Sequence, residues 1–130
     1  MKVLFVCSQA RMRSYTARNL ALLGGVDAEC CGSDSSSRLP INNQLLQDAD
    51  VIFCMEPKHR NIVKSMIGSE GKPVLCLGIE DVYNAFDSAL ANELESVVYL
   101  LGYPALSKAI GQGYKTYKIQ DLAHDLEMCT

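Results

Sequence analysis

One cysteine, one arginine and one serine near the start of the sequence have the spacing of a phosphate-handling site. Cys7 follows a short apolar run at positions 3–6, Arg13 comes six positions later, and Ser14 stands directly after it. Apolar and polar residues then alternate with helical spacing from residue 15 to residue 23, before a Gly-Gly pair. The pattern predicts a strand, a short loop and a helix within about twenty residues.

This placement predicts the chemistry of the cysteine. A loop that enters a helix points its backbone N–H groups inward, and the helix N-terminus adds partial positive charge. That field favours the thiolate form of Cys7, and the Ser14 hydroxyl can donate a hydrogen bond to the sulfur. Arg13 offers a planar fork of donors for two phosphate oxygens. These are the parts of covalent phosphoryl transfer through a cysteinyl-phosphate.

The same loop is the expected substrate-binding site. We expect a bound phosphate to lie against the loop residues Ser8, Gln9, Ala10, Arg11 and Met12, and against Ser14 at the start of the helix.

Two segments resemble the low-molecular-weight protein tyrosine phosphatases, and most closely the short bacterial variants. They are residues 3–14 (VLFVCSQARMRS) and residues 45–61 (LLQDADVIFCMEPKHRN). The resemblance covers about residues 1–100 and leaves residues 103–130 unplaced. Two positions depart from the family pattern: Ala10 replaces a loop-bracing asparagine, and Met12 replaces a second cysteine that can form a protective disulfide.

A proton donor for the leaving oxygen should come from another loop at the same edge of the sheet. The segment after the fourth predicted strand offers Glu80, Asp81 and Asp87. In the resembled family the donor is an aspartate followed by proline and an aromatic residue. Asp81 has Val82 in the proline position and Tyr83 as the aromatic, so Asp81 is the first candidate and Asp87 the second. Tyr83 is then expected to form a wall of the substrate pocket.

Alternating strand-like and helix-like segments predict an α/β fold, with a doubly wound, mainly parallel four-stranded sheet and helices on both faces. The predicted strands lie at about 3–6, 26–31, 50–55 and 73–77, and the helices at 13–23, 40–47, 57–67 and 88–101. A short helix at 104–110, a break at residues 111–113 and a terminal helix at 119–128 are expected to follow. We expect residues 1–130 to form a single domain.

The composition excludes several classes of protein. A net charge of −3 argues against a general nucleic-acid binder, whose phosphate contacts require a basic surface. No apolar run approaches the roughly 18 residues of a membrane span, so no membrane partner is expected and a cytoplasmic location is predicted. The six cysteines include no Cys-x-x-Cys pair, which disfavours zinc, and neither a metal nor a cofactor is expected.

The sequence therefore predicts metal-independent hydrolysis of a phosphate monoester, with phosphotyrosine on a protein or a small aryl phosphate as substrate. Two alternatives remain. The first is a non-catalytic module that binds phosphate or phosphoproteins. The second is an arsenate reductase, which would need a relay of cysteines such as Cys54 and Cys76 that can reach Cys7. The oligomeric state is not predicted.

Overall fold

The computed structural model describes residues 1–128. Its elements are β1 (Lys2–Cys7), α1 (Arg13–Leu23), β2 (Asp27–Gly32), α2 (Asn43–Asp48), β3 (Val51–Cys54), α3 (Pro57–Ser65), β4 (Val74–Cys76), α4 (Ser88–Leu100) and α5 (Pro104–Met128), with a 3₁₀ turn at Ile67–Ser69 between α3 and β4.

The four strands form one parallel sheet in the order β2-β1-β3-β4. The chain first moves from β1 to β2 on one side, then returns past β1 to β3 on the other. The predicted fold class is confirmed. In such a sheet, ligands bind at the carboxyl edge where the strand order reverses, which is here the crevice between β1 and β3.

Alternate residues of β1 serve two separate cores. Val3, Phe5 and Cys7 pack into a core shared with α1, α4 and α5, where the rings of Phe5 and Phe53 stack at 5.7 Å. Leu4 and Val6 face the opposite side and pack with residues of α2 and α3. Because both faces are covered, β1 is apolar throughout, as a central parallel strand requires.

The prediction of a break at residues 111–113 is wrong, because α5 runs through them as one helix. A Cβ atom at Gly113 would lie 1.9 Å from the carbonyl oxygen of Leu20, and one at Gly24 would lie 2.0 Å from that of Ala109. The two glycines thus let α1 and α5 cross with their backbones in contact, and Gly113 serves this crossing without ending the helix.

Two other boundaries differ from those predicted. The second helix begins at Asn43 rather than Pro40, because Pro40 bridges to Gly32 and the Asn42 side chain caps the helix by accepting from Leu45 N–H. The third helix ends at Ser65 and is followed by the 3₁₀ turn.

The last turns of α5 extend beyond the core. The side chains of Leu122, Ala123 and Leu126 are all exposed. Within residues 1–128, no helix combines the length and the hydropathy that crossing a membrane requires.

Candidate active site

The loop between β1 and α1 (residues 7–14, the anion loop) has its backbone carbonyls turned outward. The carbonyl oxygens of Cys7 and Ser8 accept from the N–H groups of Ser33 and Asp34, at 2.8 and 3.0 Å. Those of Gln9 and Ala10 accept from Ser37 Oγ and Arg38 Nε, at 3.0 and 3.3 Å. All four donors belong to the loop after β2 (residues 33–38, the serine-rich loop).

The outward carbonyls fix the direction of the loop's N–H groups. In a trans peptide the C=O of one residue and the N–H of the next point in opposite directions. The N–H groups of residues 8–11 therefore point inward, as the Ala10 N–H shows by reaching Cys7 Sγ at 3.2 Å. Four converging N–H donors make a site for an anion.

The serine-rich loop thus supports the anion loop from behind. None of its residues lines the cavity. Its tightest member is Ser37, which is 5% exposed and whose hydroxyl also accepts from Leu39 N–H.

A cavity of about 240 Å³ lies in front of these donors. Seven residues from the anion loop and one other loop line it: Cys7, Ser8, Gln9, Arg11, Met12, Arg13 and Asp81. Of the other residues expected to bind substrate, Ala10 and Ser14 are fully buried in the loop itself and Tyr83 does not line the cavity.

Cys7 lies at the base of the cavity and is 3% exposed. Its sulfur is 2.8 Å from the Ser14 hydroxyl, in addition to the Ala10 N–H. A thiolate can only accept hydrogen bonds, so the ionised sulfur would accept one from each of these two groups.

Ala10 adopts a left-handed backbone conformation, with φ of 58°. Residues with a Cβ atom disfavour this region by roughly 1–2 kcal/mol. Without the asparagine side chain seen in the resembled family, the conformation here is held by hydrogen bonds at both ends of the residue, from its N–H to Cys7 and to its carbonyl from Arg38. The Arg38 guanidinium in turn stacks on Tyr15, 4.6 Å from the ring centroid.

Arg13 is buried and is held by two hydrogen bonds from one nitrogen. Its Nη1 donates to Glu56 Oε2 at 2.6 Å and to the carbonyl oxygen of Ile79 at 2.7 Å. The hydrogen bond from Arg13 lowers the pKa of Glu56, which therefore stays a carboxylate at neutral pH. With Nη1 anchored, the opposite edge of the guanidinium is left for the cavity that Arg13 lines.

The two candidate acids occupy different environments. Asp81 lies on the cavity lining, its side chain is 68% exposed, and its Oδ1 is 3.8 Å from Arg13 Nε. Asp87 caps α4 by accepting from Ala89 N–H at 2.9 Å, and it does not line the cavity.

Tyr83, expected as a wall of the pocket, is turned toward α4, where its hydroxyl donates to Glu93. Arg18 pairs with Glu29 of β2 at 3.5 Å and does not line the cavity.

His59 is fully buried beside the anion loop and caps α3. Its Nδ1 accepts from Glu56 N–H at 3.1 Å, and its Nε2 lies 2.9 Å from Ser8 Oγ. Burial, with a smaller effect of the Arg13 charge, lowers the pKa of His59 to about 4, so the imidazole is neutral at pH 7.

The remaining cysteines of residues 1–128 lie in the strands of the sheet. Cys54 pairs in register with Cys76 on β4, away from the cavity lining, and burial raises the pKa of Cys54 to about 12. Burial also raises the pKa of Cys30, to about 11, and that of Cys31. Cys129 lies outside the described residues. Residues 1–128 contain no group of three or more His, Cys, Asp or Glu side chains that could hold a metal ion.

The contacts of Glu56 and His59 with the anion loop were not predicted from the sequence. A signal was present, because a glutamate, a proline and a histidine follow a fully apolar strand at the point where the sheet order reverses. The contacts themselves join residues 43 and 51 positions apart, which no local pattern shows.

The fold is that of the low-molecular-weight protein tyrosine phosphatases. A low-molecular-weight protein tyrosine phosphatase from T. tengcongensis is 18% identical, with a TM-score of 0.55, over 86% of this chain and 99% of that one. One from Bacillus subtilis is 18% identical, with a TM-score of 0.53, over 89% and 98%.

An arginine phosphatase from Drosophila has the same fold, with 19% identity and a TM-score of 0.57 over 91% of this chain and 98% of that one. No protein-family model matches the sequence, and no curated protein matches it.

Proposed function

We propose that this protein is a cysteine-dependent phosphatase that hydrolyses phosphate monoesters without a metal, acting on phosphotyrosine in proteins. The observation that carries the proposal is the position of Cys7 Sγ at the base of a cavity into which the N–H groups of residues 8–11 point. Arg13 adds a buried guanidinium with one anchored edge, and Asp81 lies on the same cavity.

The first step is attack of the Cys7 thiolate on phosphorus. An S–P bond forms while the bond from phosphorus to the leaving oxygen breaks, and Asp81 gives its proton to that oxygen. The inward N–H groups and Arg13 stabilise the charge on the three equatorial phosphoryl oxygens.

The second step returns the site to its starting state. The Asp81 carboxylate takes a proton from a water molecule that attacks the cysteinyl-phosphate. The S–P bond breaks, inorganic phosphate leaves, and the Ser14 hydroxyl, 2.8 Å from the sulfur, stabilises the thiolate that is released.

Arg11 favours a phosphate ester over phosphoarginine as the substrate. Its exposed side chain lines the cavity and has no ion pair or hydrogen bond within residues 1–128. A free cation at this wall would repel the guanidinium of a phosphoarginine substrate and attract acidic groups near a phosphotyrosine. The Drosophila protein with the same fold is named an arginine phosphatase, so phosphotyrosine and phosphoarginine are the two substrates to compare.

The test is turnover of p-nitrophenyl phosphate, a phosphotyrosine peptide and a phosphoarginine peptide, each in the presence of a chelator. We expect hydrolysis of the first two, preference for the phosphotyrosine peptide over the phosphoarginine peptide, and loss of activity in Cys7→Ser. Inorganic phosphate should protect Cys7 from alkylation by iodoacetamide. Protection without turnover would instead support the non-catalytic binder.

A further inference from the structure

The turn between β3 and α3 and the first turn of α3 contact the anion loop through one side chain each. Glu56 binds Arg13, and His59 binds Ser8. The turn follows β3 and the loop follows β1, so the two contacts cross the crevice in which ligands of such sheets bind.

The hydrogen bonds of His59 determine where its proton lies. A backbone N–H can only donate, so the N–H of Glu56 requires an unprotonated Nδ1 on His59. The neutral imidazole then carries its hydrogen on Nε2, and this hydrogen points at Ser8 Oγ, 2.9 Å away.

This tautomer of His59 determines which hydrogen bonds the Ser8 hydroxyl can make. Its oxygen accepts from His59, so its own hydrogen must point elsewhere. Within residues 1–128 the hydroxyl has no other hydrogen-bond partner, and Ser8 lines the cavity. The hydrogen is therefore available to an acceptor placed there.

We propose that His59 is a positioning residue that orients the Ser8 hydroxyl as a hydrogen-bond donor to a phosphate oxygen in the cavity. The proposal rests on the proposed function, since it assumes that the anion loop binds phosphate. In this arrangement the phosphate would have one more side-chain donor besides the backbone N–H groups and Arg13. A residue outside the loop sets the direction of that donor.

A double-mutant cycle with inorganic phosphate as the probe tests this. Phosphate affinity is measured on the full chain, from the protection of Cys7 against iodoacetamide, for Ser8→Ala, His59→Asn and the double variant. A hydrogen bond to a charged group predicts roughly tenfold weaker binding for Ser8→Ala. His59→Asn should weaken binding in the same direction, and by less than about twofold once Ser8 is already alanine.

A matched pair at position 59 separates positioning from support of the helix. The asparagine carbonyl can replace Nδ1 as acceptor for Glu56 N–H, whereas a glutamine amide reaches farther and can replace Nε2 as donor to Ser8. We expect His59→Gln to retain more phosphate affinity than His59→Asn. Asn61→Ala, an exposed substitution on the same helix, is the control and should bind phosphate normally.

The steady-state kinetics of ester hydrolysis test the proposal in a second way. Because the hydroxyl binds the phosphate group of the bound substrate as well as of the transition state, Ser8→Ala should raise KM roughly tenfold and change kcat by less than about threefold.

Normal phosphate affinity in Ser8→Ala, or an undiminished effect of His59→Asn in the Ser8→Ala background, would overturn the proposal. If phosphate protects the wild type but no ester is hydrolysed, only the proposed hydrolysis fails. If phosphate does not protect the wild type, both proposals fail.

Discussion

The anion loop and the loop that carries Asp81 (residues 78–87, the Asp81 loop) face the same cavity but are held very differently. In the anion loop, four successive carbonyls accept hydrogen bonds from the serine-rich loop, and Arg13 is 2% exposed. The Asp81 loop is held at separate points: Ile79 N–H donates to the Met55 carbonyl, the Tyr83 hydroxyl donates to Glu93, and Phe86 N–H donates to Thr16 Oγ1. Between these anchors the Asp81 side chain is 68% exposed.

The difference divides the chemistry into a fixed part and an adjustable part. The groups that would stabilise transition-state charge are oriented before any ligand arrives, so no reorganisation is needed there. The group that would move a proton lies on a solvated segment. Changes in the anion loop should therefore affect phosphate itself, whereas changes in the Asp81 loop should depend on what the phosphate is attached to.

The largest effect should come from Asp81→Asn. With phenyl phosphate or phosphotyrosine, whose leaving oxygen needs a proton, we expect kcat/KM to fall by about 10²–10⁴-fold. With p-nitrophenyl phosphate, whose leaving group is stable as an anion, the loss should be much smaller.

Asp87→Asn is the matched control, because asparagine also caps helices well, and it should show only a small change that is equal for all leaving groups. A dependence on the leaving group in Asp87→Asn would reassign the acid. If neither variant shows a dependence on the leaving group, the reaction has no dedicated acid.

Arg13→Lys should cost at least about 100-fold in kcat/KM, for good and poor leaving groups alike. Lysine keeps the charge but not the planar fork, and it cannot both bind Glu56 and Ile79 and present a second edge to the cavity. Steady-state kinetics on the same two esters measure the effect. Activity within a few-fold of the wild type would refute the role of the fork.

The buried His59 should make stability depend on pH. Its pKa is about 4 in the folded protein, below the ordinary value of 6.5. Its contribution to the free energy of unfolding is therefore fully present above about pH 6.5 and is lost as the pH falls toward 4. We expect a loss on the order of 1–3 kcal/mol across this window in urea unfolding. The difference between wild type and His59→Gln isolates this group, since all other titrating residues are shared. Parallel pH dependences of the two proteins would contradict the assignment.

Ser37→Ala tests the support behind the anion loop and should have the smallest effect. Removing the hydroxyl leaves the Gln9 carbonyl without its donor, at a cost of about 1–3 kcal/mol in the free energy of unfolding. Phosphate affinity should fall only a few-fold, because the N–H donors themselves remain. Ser35→Ala, at an exposed position of the same loop, should be neutral in both measurements.

Most of the fold followed from the sequence because its signals are local. The apolar runs, the glycine stops and Pro57 place the strands and the first four helices to within a few residues. The continuity of α5 could not be read in this way, because Gly113 suggests a helix break until its contact with Leu20 is known.

For the candidate site, the order of residues in the anion loop predicted a cavity around Cys7 and Arg13. The orientation of Tyr83 toward Glu93, and the contact of His59 with Ser8, depend on how distant segments pack. Neither could be obtained from spacing along the chain.

The aromatic cluster at the end of the Asp81 loop gives access to this loop by fluorescence. Phe86 stacks on Tyr117 of α5 at 4.4 Å and meets Tyr15 of α1 edge-on at 5.9 Å. The sequence contains no tryptophan, so Phe86→Trp would introduce a single indole whose emission comes from this position alone. Its quenching and anisotropy would then report, in real time, whether the loop that carries Asp81 changes its surroundings when phosphate enters the cavity.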